Sequence, residues 1–180
     1  MGRSDIKDDN VYNIYEDSKK DLWFCTYNGG LIKIKGNNYK DYSVFHTENS
    51  TGFLNNSTRV ILEDKPGEFW LGTGSYGLYY FTEKSKKFES INTGYEFDYI
   101  RTLIKSDSNT LWIGCGNGLF KYSIKEKTTI KIEDDRLFYI MQIIELKDKF
   151  LIATFGSGLL EFSKKEQKVM HQYKHDDIDS

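Results

Sequence analysis

The sequence has few of the residues that hold disulfide-rich or metal-binding domains together. Its 180 residues include only two cysteines and three histidines. Two cysteines are too few for a disulfide framework or a zinc cluster, so we predict no metal site and interpret Cys25 and Cys115 as buried apolar thiols. We also expect no cofactor. The glycine-rich run 114–118 is followed by a predicted strand, whereas a nucleotide-binding loop needs a helix behind it.

The chain also lacks long apolar runs and an excess of positive charge. No run is long enough to span a membrane, and the first ten residues contain no apolar segment typical of a signal peptide. A net charge of −2 argues against a nucleic-acid surface, because binding phosphates requires a concentrated basic face. We therefore predict no nucleic-acid partner and no membrane contact by this segment. The missing leader does not fix the compartment, because we interpret the chain as an excised piece of a longer protein.

Proline is nearly absent, with one residue against fifteen glycines. This balance predicts many tight turns that use the positive φ angles open to glycine. Aromatic residues make up 16% of the chain, which favours strands, and no segment shows a convincing helical period with caps. We predict an all-β protein without a long helix.

Four repeats account for most of the chain. They begin at Val11, Thr58, Ile100 and Ile140. Each has a strand that ends at an acidic corner (A), a strand around a tryptophan (B), a strand after glycines (C) and a weaker strand (D). Aspartates at the corner are predicted to hydrogen-bond the turn backbone. They are Asp17, Asp64 and Asp107.

The tryptophan position gives the period of the repeat. Trp23, Trp70 and Trp112 are equivalent, Leu151 replaces them in the last copy, and the separations are 47, 42 and 39 residues. Such a period with several short strands is typical of propeller blades. We predict a β-propeller fragment of four four-stranded antiparallel blades in one segment, 1–180. The predicted blades cover approximately 10–46, 57–92, 98–133 and 138–175, and the D strands 39–45, 87–92, 128–132 and 168–173.

Several strands are apolar on both faces, as a sheet between two other sheets requires. We therefore interpret the three tryptophans as core between blades. The end blades would expose apolar surface, so we expect other propeller blades as partners and self-association of this fragment when isolated. Three arrangements stay open: a closed four-bladed ring, an open arc from a longer array, or two chains paired into an eight-bladed ring.

The second repeat carries the clearest family resemblance. Its segments 61–64 (Ile-Leu-Glu-Asp), 69–73 (Phe-Trp-Leu-Gly-Thr) and 77–81 (Gly-Leu-Tyr-Tyr-Phe) resemble the two-component regulator propeller repeat. The resemblance implies the non-catalytic sensor part of a bacterial membrane receptor, such as a hybrid histidine kinase. It also implies a periplasmic or extracellular location. Many such receptors respond to breakdown products of polysaccharides, so an oligosaccharide is the ligand that we expect.

The turns between strands B and C are where we predict ligand binding. Aromatic and amide side chains there suit a sugar, through stacking and hydrogen bonds, although the same residues could simply complete the hairpins. The predicted ligand-binding residues are Tyr27, Asn28, Ser75, Tyr76, Asn117, Phe155 and Ser157.

We predict no catalytic residue. The acidic corners Glu16-Asp17 and Glu63-Asp64 recur, and His46 and His175 are equivalent positions, so repetition explains them better than catalysis or metal binding. Two alternatives stay open. One is a protein-interaction scaffold. The other, less favoured, is a propeller lyase or lactonase with metal-bound carboxylates and a histidine at its central opening.

Overall fold

The chain is built of β-strands alone in the part that the structure, a computed structural model, describes: residues 10–36 and 38–174. Sixteen strands form four antiparallel sheets of four strands, and in each sheet the strands lie side by side in chain order. The predicted fold class, an all-β propeller fragment of four four-stranded antiparallel blades, is confirmed. These residues include no helix of the length and apolarity that a membrane span requires.

The strands have the following bounds. Blade 1 contains β1 (Val11–Glu16), β2 (Leu22–Thr26), β3 (Leu31–Ile34) and β4 (Tyr42–Phe45). Blade 2 contains β5 (Thr58–Lys65), β6 (Glu68–Thr73), β7 (Leu78–Thr82) and β8 (Lys87–Ser90). Blade 3 contains β9 (Thr102–Lys105), β10 (Thr110–Cys115), β11 (Gly118–Ser123) and β12 (Thr128–Ile132). Blade 4 contains β13 (Ile140–Glu145), β14 (Lys149–Thr154), β15 (Leu159–Ser163) and β16 (Lys168–Tyr173).

Two strands begin later than the sequence predicts. Strand β4 begins at Tyr42 instead of residue 39, because 38–41 form a turn in which the Asp41 amide donates to the Asn38 carbonyl (2.9 Å). Strand β9 begins at Thr102 instead of residue 100, since Tyr99 just before it has a positive φ of 53°. Local turn geometry thus overrides β propensity at both places.

The chain divides into two compact units, the first ending at Asn92 and the second beginning at Thr93. The predicted blade ranges within one segment 1–180 stay a prediction. The end of the fourth range, with His175, lies outside the described residues.

The first unit is held together by one face of blade 1 packed on one face of blade 2. The face of blade 1 that carries Trp23, here called its Trp face, also presents Tyr15, Cys25, Leu31 and Phe45. The Trp face of blade 1 covers the face of blade 2 that lies opposite Trp70, here called the Phe face. That face consists of Ile61, Phe69, Leu71, Tyr79, Phe81 and Phe88.

Trp23 is the centre of this contact. Its ring lies 4.6 Å from the ring of Phe69 and 5.9 Å from the ring of Phe81, and its side chain is fully buried. The indole Nε1 donates to Asp17 Oδ2 (2.8 Å), while Asp17 Oδ1 accepts from the Lys19 and Asp21 amides. The acidic corner is therefore a turn that also satisfies the buried indole, and the predicted inter-blade role of Trp23 is confirmed.

The second unit repeats this packing with blades 3 and 4. Trp112 on the Trp face of blade 3 meets the rings of Phe150 and Phe162 edge-on, at 5.2 and 5.7 Å. Asp107 again holds the corner, since it accepts from the amides of Asn109 and Thr110. The inter-blade role of Trp112 is thus confirmed as well. Trp70 is also buried, against Tyr80 of its own blade, while Asp64 accepts a bond from the Tyr80 hydroxyl (2.8 Å). An inter-blade role for Trp70 stays a prediction.

A buried ion network lies at the rim of the first contact. Lys33 on the Trp face of blade 1 reaches both Asp21 of its own blade and Glu83 of blade 2. Burial opposes the charge on Lys33, but the two carboxylates outweigh burial and raise its pKa. The network fixes the orientation of two sheets that apolar packing alone could leave free to slide.

Replacing Trp23 with Ala tests how much one inter-blade tryptophan contributes. We expect the variant to lose about 3–5 kcal/mol of unfolding free energy, because a large cavity opens between two sheets. Urea unfolding followed by tryptophan fluorescence and circular dichroism measures the loss. Tyr39→Ala, at an exposed turn residue, is the control. A loss for Trp23→Ala no larger than for the control would contradict the packing role.

Candidate functional site

The predicted turn residues of blades 1, 2 and 4 sit on turns that a threonine hydroxyl closes. Thr26 Oγ1 donates to the Gly30 carbonyl (2.7 Å), and Thr154 Oγ1 donates to the Gly158 carbonyl (2.8 Å). Gly30 has a φ of +81°, and a Cβ there would lie 2.2 Å from the Phe45 carbonyl oxygen. The backbone of each turn is therefore fixed from beneath, and side chains at its tip are free to project.

Tyr27, Tyr76 and Phe155 are the large side chains that project from these tips, and all three are exposed. Tyr27 makes its ring contact with Tyr12, 6.1 Å away, and not with Tyr76, so the structure does not bring the two predicted tyrosines of the first unit into contact. Phe155 is 75% exposed and faces Tyr139. Each turn aromatic with a ring contact thus has a partner that the sequence did not indicate.

In the first unit the partners come from bulges at the start of strand A. The register of β1 shifts between Val11 and Asn13, which leaves Tyr12 as the extra residue. Arg59 is the extra residue at the equivalent place in β5, and its guanidinium lies 3.7 Å from the Tyr12 ring centroid. A bulge turns the side chain of its extra residue out of the alternation of the strand. Tyr12 therefore contacts both the Arg59 guanidinium and, edge-on, the ring of Tyr27.

The second unit carries a larger group of the same kind. The Arg101 guanidinium lies 5.5 Å from the Tyr99 ring and 5.7 Å from the Tyr139 ring. Tyr139 in turn meets Phe138 at 4.7 Å and Phe155 at 6.3 Å. All four rings are exposed. We call these five side chains the aromatic–arginine patch: Tyr99, Arg101, Phe138, Tyr139 and Phe155.

Backbone strain accompanies this patch. Tyr99 and Tyr139 have φ angles of +53° and +48°, in the left-handed region that bulky residues rarely adopt. Hydrogen bonds hold the second residue there: its amide donates to the Gly116 carbonyl (2.8 Å), and its carbonyl accepts from the Phe155 amide (2.9 Å). Strain of about 1–3 kcal/mol per residue persists only where surrounding structure fixes it, and it clusters at functional sites.

Asn117, one of the predicted ligand-binding residues, is used by the fold. Its Nδ2 donates to the Glu96 carbonyl (2.8 Å), and its Oδ1 accepts from the Asp98 amide and from Cys115 Sγ (both 3.2 Å). The side chain thus fastens the segment that leads to Tyr99. Ser157 also has a backbone role, since its carbonyl accepts from Gln172 Nε2 (2.8 Å). Ligand binding by any of the seven predicted residues stays a prediction.

The two thiols are unreactive near neutral pH. Cys25 and Cys115 are buried and free, and burial raises the pKa of each thiol to about 12. A thiol with this pKa stays protonated near neutral pH and is a poor nucleophile. The interpretation as buried apolar thiols is confirmed.

A cleft of about 240 Å³ adjoins the patch at Phe138. Glu133, Asp134 and Asp135 lie along it, but Arg136 makes a bidentate pair with Asp134 and holds the pKa of that carboxyl below its usual value. Within the described ranges, no three acidic, histidine or cysteine side chains are grouped as metal ligands. The cleft therefore offers a polar wall beside the aromatic rings.

Six residues of these two groups were missed by sequence reasoning, and alignment of the repeats could have found two. Arg59 and Arg101 occupy the same position, one residue before the strand residue that pairs with the glycine of strand B. The residues missed are Tyr12, Arg59, Tyr99, Arg101, Phe138 and Tyr139.

Asn117→Ala tests whether this side chain is structural. We expect a loss of about 1–3 kcal/mol of unfolding free energy, because the Glu96 carbonyl and the Asp98 amide lose their partner. Chemical denaturation measures it, with Ser108→Ala at a turn as the control. Unchanged stability would contradict the fastening role and would return Asn117 to the candidates for ligand contact.

Sequence comparison matches residues 5–28 to the family described as two component regulator propeller. The predicted resemblance to these repeats is confirmed. No curated protein sequence matches the chain.

Solved structures share the fold. The extracellular domain of a hybrid two component system of B. thetaiotaomicron superposes with a TM-score of 0.75 at 19% identity, over 94% of this chain and 25% of that one. The extracellular domain of a one component system of the same organism gives 0.74 at 20% identity, over 94% and 26%. Virginiamycin B lyase of Staphylococcus aureus gives 0.64 at 16%, over 91% and 55%. The chain spans about a quarter of the length of the first two.

Proposed function

We propose that this chain, which carries the two-component regulator propeller repeat, is a non-catalytic ligand-sensing segment of an extracytoplasmic bacterial receptor. The family match and the likeness to extracellular domains of signalling systems support this role and a periplasmic or extracellular place. The observation that carries the ligand proposal is the aromatic–arginine patch. Two of its four exposed rings, Tyr99 and Tyr139, lie beside one guanidinium, and the other two contact Tyr139.

An oligosaccharide is the ligand that suits these rings. Sugar rings have apolar C–H faces that pack on aromatic rings, while their hydroxyls need polar groups at the edge. Phe155 and Tyr139 supply two rings with centroids 6.3 Å apart and tilted by 65°, so one sugar unit can lie against both. The cleft beside Phe138 supplies donors and acceptors for hydroxyl groups, since Asn117 and Lys131 line it together with three carboxylates.

Arg101 selects among oligosaccharides. Within the described residues its partners are the Tyr99 carbonyl (3.4 Å) and two tyrosine rings, and none of these is a carboxylate. A planar guanidinium held in this way can bind a carboxylate through two parallel hydrogen bonds. The ligand class is therefore an oligosaccharide that carries acidic groups, such as uronic acid units.

A lyase would need different chemical groups at the aromatic–arginine patch. Elimination needs a base and an electrophile within reach of the substrate. The patch contains four rings and one arginine, which suit binding better than proton transfer. A lyase assay on the same acidic oligosaccharide, read as new absorbance from an unsaturated product, separates the two functions.

Binding is tested by calorimetric titration of the full chain with trigalacturonate and with neutral cellotriose. We expect trigalacturonate to bind more tightly than cellotriose. Phe155→Ala with Tyr139→Ala should weaken both sugars at least tenfold, because a stacked ring contributes about 1–3 kcal/mol when it is removed, by analogy with base stacking. Arg101→Gln should abolish only the preference for the acidic sugar.

Tyr39→Ala, an exposed aromatic residue in a turn of blade 1, is the matched control and should bind like the parent chain. Absence of binding by both sugars would reject the sugar site. Equal binding of both sugars by the parent chain would reject the acidic ligand class and leave a neutral one. Binding that the double variant leaves unchanged would place the site elsewhere.

A further inference from the structure

The turn between strands B and C of blade 3 is shorter than the equivalent turn of the other three blades. Two residues separate β10 from β11, whereas four residues separate the same strands in blades 1, 2 and 4. A threonine hydroxyl closes each of the longer turns. Blade 3 has Cys115 at that position, and the Asn117 side chain instead reaches the backbone of residues 96 and 98. The short turn therefore meets the chain that precedes strand A in its own way.

One backbone hydrogen bond differs between the short turn and the longer ones. In blades 1, 2 and 4, the amide of the first turn residue donates to the carbonyl of the residue just before the repeat begins, and we call this the ordinary register. These bonds run from Tyr27 to Asn10 (3.0 Å), from Gly74 to Ser57 (3.4 Å) and from Phe155 to Tyr139 (2.9 Å). In blade 3 the Gly116 amide donates to the Asp98 carbonyl, one residue earlier than the equivalent Tyr99. The register of blade 3 is thus shifted by one residue.

The shifted register depends on the absence of a side chain at position 116. A Cβ on Gly116 would lie 2.7 Å from the Asp98 carbonyl oxygen and 2.9 Å from the Asp98 Cβ. The ordinary register accepts a large side chain at the same place, since Tyr27 and Phe155 occupy it in blades 1 and 4. Glycine at 116 therefore permits a close backbone approach that any other residue would push apart.

The shift places Arg101 of the aromatic–arginine patch. With the Gly116 amide bonded to Asp98, the Tyr99 carbonyl accepts from Arg101 Nη1 (3.4 Å). The Gly116 carbonyl in turn accepts from the Tyr139 amide (2.8 Å). The rings of these two tyrosines lie 5.5 and 5.7 Å from the guanidinium. Gly116 thus holds the backbone of both tyrosines that flank Arg101.

Arg59, at the equivalent position of blade 2, lies in the ordinary register. There the Ser57 carbonyl accepts from the Gly74 amide, and the Arg59 guanidinium lies 3.7 Å from the centroid of the Tyr12 ring. The backbone carbonyl that receives the Arg101 guanidinium in blade 3 is therefore engaged by the turn in blade 2. Two arginines at one position of the repeat differ in their surroundings because the register of the turn differs.

We infer that Gly116 is a positioning residue that determines specificity: through the shifted register it orients Arg101, and not the equivalent Arg59, toward the acidic group of the ligand. This inference rests on the proposed function, which supplies the acidic ligand. A guanidinium that is held before binding loses less side-chain freedom when it forms its two hydrogen bonds to a carboxylate. The preference for an acidic sugar therefore depends on a residue that has no side chain.

Calorimetric titration of the full chain with trigalacturonate and cellotriose tests the specificity, read as the ratio of the two dissociation constants. We expect Gly116→Ala to reduce the preference for trigalacturonate about tenfold, because the guanidinium is no longer held for two charge-assisted hydrogen bonds. Adding Arg101→Gln to Gly116→Ala should reduce it no further, since both changes act on one guanidinium. Gly74→Ala and Arg59→Gln, at the equivalent positions of blade 2, are the matched controls and should keep the preference of the parent chain.

Nuclear magnetic resonance of the ¹⁵N-labelled full chain tests the position of Arg101 without any sugar. The Nε proton of Arg101 is near two tyrosine rings, and ring currents shift its resonance. We expect Gly116→Ala to move this resonance toward the value of an unstructured arginine, and Gly74→Ala to leave it in place. Asn117→Ala, which releases the same segment from the short turn, should move it in the same direction, so the test does not depend on one variant.

Circular dichroism and thermal unfolding check that the variants fold. An Arg101 resonance that stays in place in both Gly116→Ala and Asn117→Ala would overturn the inference, whether or not the sugars bind. A preference that Arg101→Gln abolishes but Gly116→Ala keeps would also overturn it, and would leave the proposed function intact. Absence of binding by both sugars would reject the proposed function, and the resonance would then decide alone whether Gly116 positions Arg101.

Discussion

The packing of a Trp face on a Phe face is the interaction on which this structure depends. It explains why one face of β6 (Phe69 and Leu71) and one face of β14 (Phe150 and Ile152) are apolar and buried, because each of these faces meets the Trp face of the preceding blade. In blade 1 the acidic corner also supports this contact, since Asp17 accepts a hydrogen bond from the buried indole nitrogen of Trp23. At the rim, Lys33 adds direction to a contact that is otherwise apolar, since its two carboxylate partners come from two different sheets.

This constraint divides the residues of each repeat into two groups. On the two packed faces, the space between sheets limits the size of each side chain. At Gly114, for example, a Cβ would lie 2.5 Å from a methyl of Thr102 and 2.8 Å from one of Ile140. Residues that leave the alternation, at the bulge of strand A and at the tip of the B–C turn, lie outside the two packed faces. Except where they fasten a neighbouring segment, as Asn117 does, they are not fixed by the packing of the sheets, so a ligand site can arise there.

The same division explains what the sequence could predict. Repetition predicted the four blades and placed nearly all the strand bounds within two residues, because alternation and glycine turns are local signals. It also indicated that Trp23 and Trp112 lie between sheets. It could not indicate the patch, because Arg101 lies just outside strand β9 and meets Tyr139 through a backbone with positive φ, which has no clear sequence signal. Asn117 was predicted as a turn side chain open to ligand, and its use by segment 96–98 depends on a contact about twenty residues away.

Strain and sensing are connected through the segment that precedes strand A. Tyr139 is held in its unfavourable conformation by hydrogen bonds to Gly116 of blade 3 and to Phe155 of blade 4, so one residue joins the turns of two successive blades. Under the proposed function, a ligand that packs on Tyr139 and Phe155 would therefore contact the residue that is hydrogen-bonded to both blades. A ligand shifts an equilibrium only by its different affinity for two states, so such a ligand would favour the state in which this junction is intact.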